Sequence, residues 1–387
     1  MSRGPTMKRK ILVLDDSYRG KRRHITAQLR GMNVEATKAD AFHLLGHRGD
    51  DGATFSFMHR YSPVEEWERH LGRGDVAAVM VVPNWRRGVS QRHELRALFA
   101  RASERQDRRP IVLVDAVDQS SSPFLDCLPH VDMMLKSQVF RDRSQYLREC
   151  PGGYPFAAWC SENLELDLGE WEFGSTASSD HLDRIRVGWN MGVSRFYSGL
   201  QRLTRACSKP WRDRKYDLSR RFPVPDPSTA PVWDYYRAYR RFCGLTVAEQ
   251  GRSLSMTGTA RLRRLAYLRE LTESRITFSP YGWGEICFRD FEAVACGSVL
   301  LKPDMTHLDT KPDIYEPGVT YVPVRWDLQD FAAKAEWILN NPASAEAIAR
   351  EASRRIERRA VQAVVSGVIS DTVGELAAPA APLIHGP

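Results

Sequence analysis

Four short apolar runs within the first 140 residues constrain this chain more than any other feature. "KILVLDD" (10–16), "VAAVMVVPN" (76–84), "RPIVLVDAVD" (109–118) and "VDMMLKSQ" (131–138) are apolar at consecutive positions, not alternate ones. A strand that is apolar on both faces must be covered on both faces, as in a parallel sheet flanked by helices. Helices are predicted in "GKRRHITAQLRGM" and near "RHELRALFARASE", and a further strand in "NVEATKAD". The first half therefore reads as a parallel α/β unit.

From Ser144 to Gln201 the pattern loosens, and a proline-rich stretch at 208–233 marks a domain junction. The second half alternates again. Strands are expected in "KYDLSRR", "RITFSP", "SVLLKPD" and "VTYVPV". Helices are expected in "DYYRAYRRFCG", "ARLRRLAYLRELTES", "GEICFRDFEAVACG" and two closing segments. At 387 residues the chain suits two domains. They are placed at 1–207 and 208–375, with an Ala/Pro-rich tail at 376–387. The fold class expected is α/β, two tandem Rossmann-like domains facing a cleft. Ligands in such folds bind at the carboxyl ends of strands.

No apolar run reaches the ~18 residues of a membrane span. The basic start leads straight into a strand without a signal peptide's apolar core, so a cytoplasmic location is expected. Seven cysteines and ten histidines are scattered, with no C-x-x-C or H-E-x-x-H pattern, so no metal is expected. The net charge of +8 suits an anionic partner: nucleic acid, a membrane surface or a phosphorylated substrate. No finger, helix-turn-helix or RNP pattern supports nucleic acid. The opening "KILVLDDSYRGKRRHITAQL" resembles a response-regulator receiver, but Asn84 stands where that fold needs its phospho-accepting aspartate.

The richest stretch is "SPYGWGEICFRDFEAVACGSVLLKPD" (279–304). Gly282 and Gly284 precede an expected helix start, whose bare N–H groups can meet an anion. Glu285, Arg289 and Glu292 stand at i, i+4 and i+7, and on a helix beginning at Glu285 they share one stripe, with Glu292 within about 20° of Glu285. Carboxylates are acceptors for sugar hydroxyls. A glycine loop for diphosphate beside carboxylates for hydroxyls describes a nucleotide-sugar site.

"GWGEICFRDFEAVACGSVLLKP" resembles the donor-binding motif of GT-B glycosyltransferases, in the group-1 and exostosin-like bacterial branch. The resemblance is clearest over 274–340. It includes "PDIYEPGVTYVPVRWDLQDFAAKAEWILNNP", and it extends diffusely over 208–375. It implies an enzyme of bacterial glycan biosynthesis. Such an enzyme moves a sugar from a nucleoside-diphosphate sugar to an acceptor glycan, lipid or small molecule, without a metal cofactor. Glu292 would hold the donor's ribose, and Glu285 the donor sugar. The spacing is Glu-x6-Glu where the family has Glu-x7-Glu. Arg220, Arg221, Arg289 and Lys302 are candidate diphosphate ligands, with Gly282 and Gly284. Lys136, Arg141 and Arg143 are candidates for an anionic acceptor, and a peripheral membrane contact is allowed. Asp15 or Asp16, at the first strand end, would serve as base in an inverting reaction. Retaining and inverting outcomes are both open. A lone histidine such as His307 reads as structural.

Overall fold

The computed structural model describes residues 9–16, 55–224 and 234–377. The helix and strand expected in "GKRRHITAQLRGM" and "NVEATKAD" lie outside these residues, as do positions 225–233 and the tail from 378.

The first unit is a six-stranded sheet. Its strands are β1 (Arg9–Asp15), β2 (Phe55–Tyr61), β3 (Ala78–Val82), β4 (Ile111–Asp115), β5 (Met133–Lys136) and β7 (Ile185–Val187). The order is β2-β1-β3-β4-β5-β7, and every pairing is parallel. All five residues of β3 and of β4 are buried, as their consecutive apolar residues require. Helix α1 (Arg92–Ser103) buries Leu95, Leu98, Phe99 and Ala102 on one stripe. The edge strands β2 and β7 were not expected. "FSFMHRY" mixes polar and apolar positions, and "IRV" is too short to carry a period.

The second unit is a four-stranded sheet. Its strands are β8 (Tyr216–Ser219), β9 (Ser274–Phe278), β10 (Val299–Pro303) and β12 (Val322–Val324). The order is β12-β10-β9-β8, again parallel throughout. Four helices carry residues that stand near the junction of the units: α2 (Arg195–Cys207), α3 (Tyr235–Gln250), α4 (Arg264–Thr272) and α5 (Phe288–Ala295).

Three features join the units. Strand β6 (Gln138–Phe140) pairs antiparallel with β11 (Leu308–Thr310) across the junction. A buried ring cluster, with Phe156 edge-on to Tyr235, Tyr239 and Tyr281, is shared between the units. The last helix, α6 (Arg358–Ala377), turns back to the first sheet. There Val361, Val365, Val368, Ile369 and Val373 pack with Ile11, Val13, Met80, Val82 and Val112. The expected boundaries grouped this segment with the second unit, because a helical stripe does not name the sheet it covers. Each buried valine is worth roughly 1.5–3 kcal/mol, so this helix is a structural part of the first unit's core.

Candidate active site between the two units

The loop after β9 and the loop after β4 leave the carboxyl ends of their sheets and meet. A cavity of about 360 Å³ lies where they meet. Asp118 and Met191 of the first unit line one wall. Arg240, Arg264, Tyr267, Gly282, Trp283, Gly284, Arg289 and Glu292 of the second line the rest. A larger cavity, about 510 Å³, lies wholly in the first unit around Tyr146, Arg148, Glu149 and Glu172. The cavity between the units is the better candidate on chemistry. Of the two, it is the one that brings guanidinium groups without an acid partner against a buried carboxylate.

That carboxylate is Glu292, on α5 and 2 % exposed. Its Oε2 accepts from the Tyr267 hydroxyl at 2.8 Å. Burial pushes the Tyr267 pKa well up, so the phenol stays protonated and donates. Its Oε1 lies 2.6 Å from Arg264 Nη2, yet the angle makes no hydrogen bond, and both buried atoms lack one. Arg264 instead lies over the rings of Phe196 and Tyr267, at 5.0 and 5.8 Å. A buried carboxylate oxygen without a hydrogen-bond donor costs energy that a ligand hydroxyl can relieve.

Two further guanidinium groups face the same space. Arg240 donates through Nε to the Tyr281 carbonyl at 3.4 Å and lies 5.7 Å from the Tyr236 ring centre. Arg289 lies 5.8 Å from the Phe222 ring centre, and its buried Nε has no hydrogen-bond partner. Among the described residues neither is in an ion pair with a carboxylate. Burial lowers the pKa of Arg240, and the positive Arg289 beside it acts in the same direction. An arginine stays charged regardless, so two positive charges stand side by side at this wall.

Residues 233–363 match the model of the family described as "Glycosyl transferase-like". The matched residues cover most of the second unit. Two parallel α/β units face one another across this cavity, as the expected fold class required. Solved structures of similar outline include HepE from Anabaena in complex with UDP, at 11% identity and TM-score 0.45 over 95% of this chain and 100% of that one. The lipopolysaccharide outer core galactosyltransferase WaaB is 12% identical, with TM-score 0.44 over 94% of this chain and 99% of that one. The trehalose 6-phosphate synthase of Burkholderia multivorans is 13% identical, with TM-score 0.41 over 96% of this chain and 97% of that one. No curated protein sequence matches.

Several expected site residues sit elsewhere in this chain. Helix α5 begins at Phe288, so Glu285 precedes it and the three-residue stripe with Arg289 and Glu292 does not form. Glu285 is 1 % exposed and turned to the first unit. It accepts from the Ser120 hydroxyl at 2.5 Å and amide at 3.1 Å, and from Gln138 Nε2 at 3.4 Å. The helix start is not a bare anion site either. Asp290 caps it, accepting from the Cys287 amide at 2.9 Å, Ser279 Oγ at 2.5 Å and the Tyr315 hydroxyl at 2.8 Å. Its countercharge is Lys302, 3.1 Å away and fully buried, which removes Lys302 from the donor set.

Gly282 and Gly284 do line the cavity, for reasons of space as much as amides. The Gly282 amide is spent on the Gly284 carbonyl at 3.0 Å. A Cβ on Gly284 would strike the Asp118 carbonyl. Arg221 is held by Glu270 through two hydrogen bonds, 2.6 and 2.5 Å, and Arg220 donates to Thr257. Neither lines the cavity. Lys136 is buried in an ion pair with Asp115 at 2.6 Å. Arg141 and Arg143 pair with Asp309, at 3.2 and 3.3 Å, and so serve the junction between units, not an acceptor. Asp15 and Asp16 are buried away from the cavity, Asp15 bonded to His59 at 2.9 Å.

Sequence reasoning missed Arg240, Arg264, Tyr267 and Asp118. The first three stand in helices where arginine and tyrosine recur with no motif to single one out. Asp118 carried the same signal that selected Asp15 and Asp16, an acid beyond the carboxyl end of an apolar strand.

Proposed function

We propose that the cavity binds a nucleoside-diphosphate sugar and transfers its sugar to an acceptor hydroxyl. The observation that carries this reading is the meeting, in one space, of a buried carboxylate, paired with Arg264 but short of a hydrogen-bond donor, with two arginines that have no acid partner among the described residues. Glu292 accepts from hydroxyls of the ribose, with Tyr267 and Arg264 fixing its orientation. Arg240 and Arg289 take the diphosphate, whose negative charge grows as the sugar–oxygen bond breaks. Positive side chains in that role make a divalent ion unnecessary, and metal-independent turnover is part of the proposal.

Asp118 is the carboxylate that the first unit contributes to the cavity wall. It stands on the acceptor side and is assigned as the general base of an inverting reaction. It takes the proton of the acceptor hydroxyl as that oxygen bonds to the sugar carbon and the nucleoside diphosphate leaves. The net charge of +8 suits an anionic donor. A role in bacterial glycan assembly at the cytoplasmic side of a membrane, with a glycan or lipid-linked acceptor, completes the reading.

The test is calorimetric titration with UDP, GDP, ADP, CMP and TDP, each against its free nucleoside. The reading requires that one of these nucleotides binds, and that its nucleoside binds at least tenfold more weakly. A chain that binds none of the five, or binds the nucleoside equally well, does not use Arg240 and Arg289 in this way.

A further inference from the structure

The two most exposed large apolar side chains among the described residues are Leu265, at 82 %, and Leu203, at 71 %. They stand on different helices that touch. Leu265 is on α4, next to Arg264, whose guanidinium lies 5.0 Å from the ring centre of Phe196 on α2. Leu203 is two turns along α2 from Phe196, on the same stripe of that helix. Leu262, also exposed, immediately precedes α4.

The chain stretches that carry them are basic, although Arg205 pairs with Glu357 and Arg269 with Glu273. No Asp or Glu occurs from Gly251 to Arg269, nor from Arg195 to Lys209. Arg202, Arg261 and Arg263 are exposed, and none is in an ion pair among the described residues. The inner side of α4 lines the cavity through Arg264 and Tyr267, and Leu265 lies on the outer side of the same helix.

We propose that this face docks on a bilayer containing anionic phospholipid. Leu203, Leu262 and Leu265 enter the headgroup boundary, while Arg202, Arg261 and Arg263 meet lipid phosphates. Leucines held out in water beside unpaired arginines match an interfacial surface, where apolar burial and attraction to anionic lipid add. A nucleic acid would reward the arginines but leave the leucines wet. A second copy would set two positive faces against each other. The proposal does not depend on the reaction assigned to the cavity.

The test is sedimentation of the full chain with phosphatidylcholine vesicles, with and without phosphatidylglycerol. Binding is expected only to the vesicles with phosphatidylglycerol and is expected to fall as salt rises. Each arginine near such a surface strengthens partition about fivefold. The Arg261→Gln, Arg263→Gln double variant should therefore partition at least tenfold more weakly, and Leu265→Ser should weaken binding at every salt concentration. These side chains are exposed, so circular dichroism and nucleotide affinity should match the unaltered chain. The proposal is overturned if the chain ignores phosphatidylglycerol vesicles, if the variants bind as the unaltered chain does, or if duplex or single-stranded DNA is bound where vesicles are not.

Discussion

Glu285 and Ser120 are joined across the two units by a pair of hydrogen bonds, one from the serine hydroxyl and one from its amide. The same loop is held at two further points. The Tyr235 hydroxyl donates to the Trp283 carbonyl at 2.5 Å, and Gln138 reaches both Glu285 and the Asp118 carbonyl. The glycine loop that borders the cavity is therefore positioned from both units, by Ser120 and Gln138 of the first and Tyr235 of the second. Glu285 acts as the peg of that joint, not as a contact to the sugar.

Removing one donor from a buried carboxylate is costly. Ser120→Ala keeps the amide and deletes the hydroxyl, so it should lower unfolding free energy by about 1–3 kcal/mol. Urea unfolding of the variant checks this. Nucleotide affinity should change less than in Glu292→Ala, because Ser120 sits behind the loop and not in the cavity.

Glu292→Ala removes the carboxylate assigned to the ribose. Nucleotide binding should weaken by about 1.5–3 kcal/mol, the range for a hydrogen bond to a charged group. Calorimetry on the folded variant measures it. An unchanged affinity would remove Glu292 from the site.

The arginines divide into two sets. Arg240→Ala and Arg289→Ala should each lower kcat at saturating donor by at least ~10-fold, as expected when a positioned partner of a developing anion is lost. Arg221→Ala should leave kcat within about twofold, since its guanidinium is already committed to Glu270 and stands outside the cavity. Its loss should appear as about 1.5–3 kcal/mol of stability. Steady-state kinetics and urea unfolding of the three variants separate the sets.

His307 gives a pH dependence of defined sign. It packs 5.3 Å from Trp326 and 6.4 Å from Phe140, ring centre to ring centre. Burial lowers its pKa; Glu285 and Asp304 oppose that shift, and Arg141 adds to it. The folded chain thus holds this ring neutral, while the unfolded chain protonates it near the ordinary value of about 6.5. Its contribution is present in full above that value and is lost as pH falls below it, by at most about 1.4 kcal/mol per pH unit. Urea unfolding between about pH 7.5 and 5 should show this slope, and His307→Phe should reduce it. An identical slope in both proteins would mean that His307 titrates normally.

The two parallel sheets and the place of the cavity-lining helix α5 are legible in the chain alone. Both rest on local rules: consecutive apolar residues make strands covered on both faces, and a glycine loop between a strand and an amphipathic helix marks a strand-end site. Glu292, Arg289, Gly282 and Gly284 are found this way, and all four line the cavity. Which charges are free is settled only by folding. Lys302, Lys136 and Arg221 look like Arg240 in the sequence, yet each is neutralised by an acid at 2.5 to 3.1 Å, and Arg240 is not. The partners Asp290, Asp115 and Glu270 are 12, 21 and 49 residues away. Glu285 shows the same limit most plainly. Helical periodicity put it on one stripe with Glu292, but Ser120, 165 positions earlier, competes for its carboxylate and turns it into the junction. Periodicity reports which face a residue occupies, whereas the partner that satisfies a buried charge is chosen by the packing of segments that meet only in the folded chain.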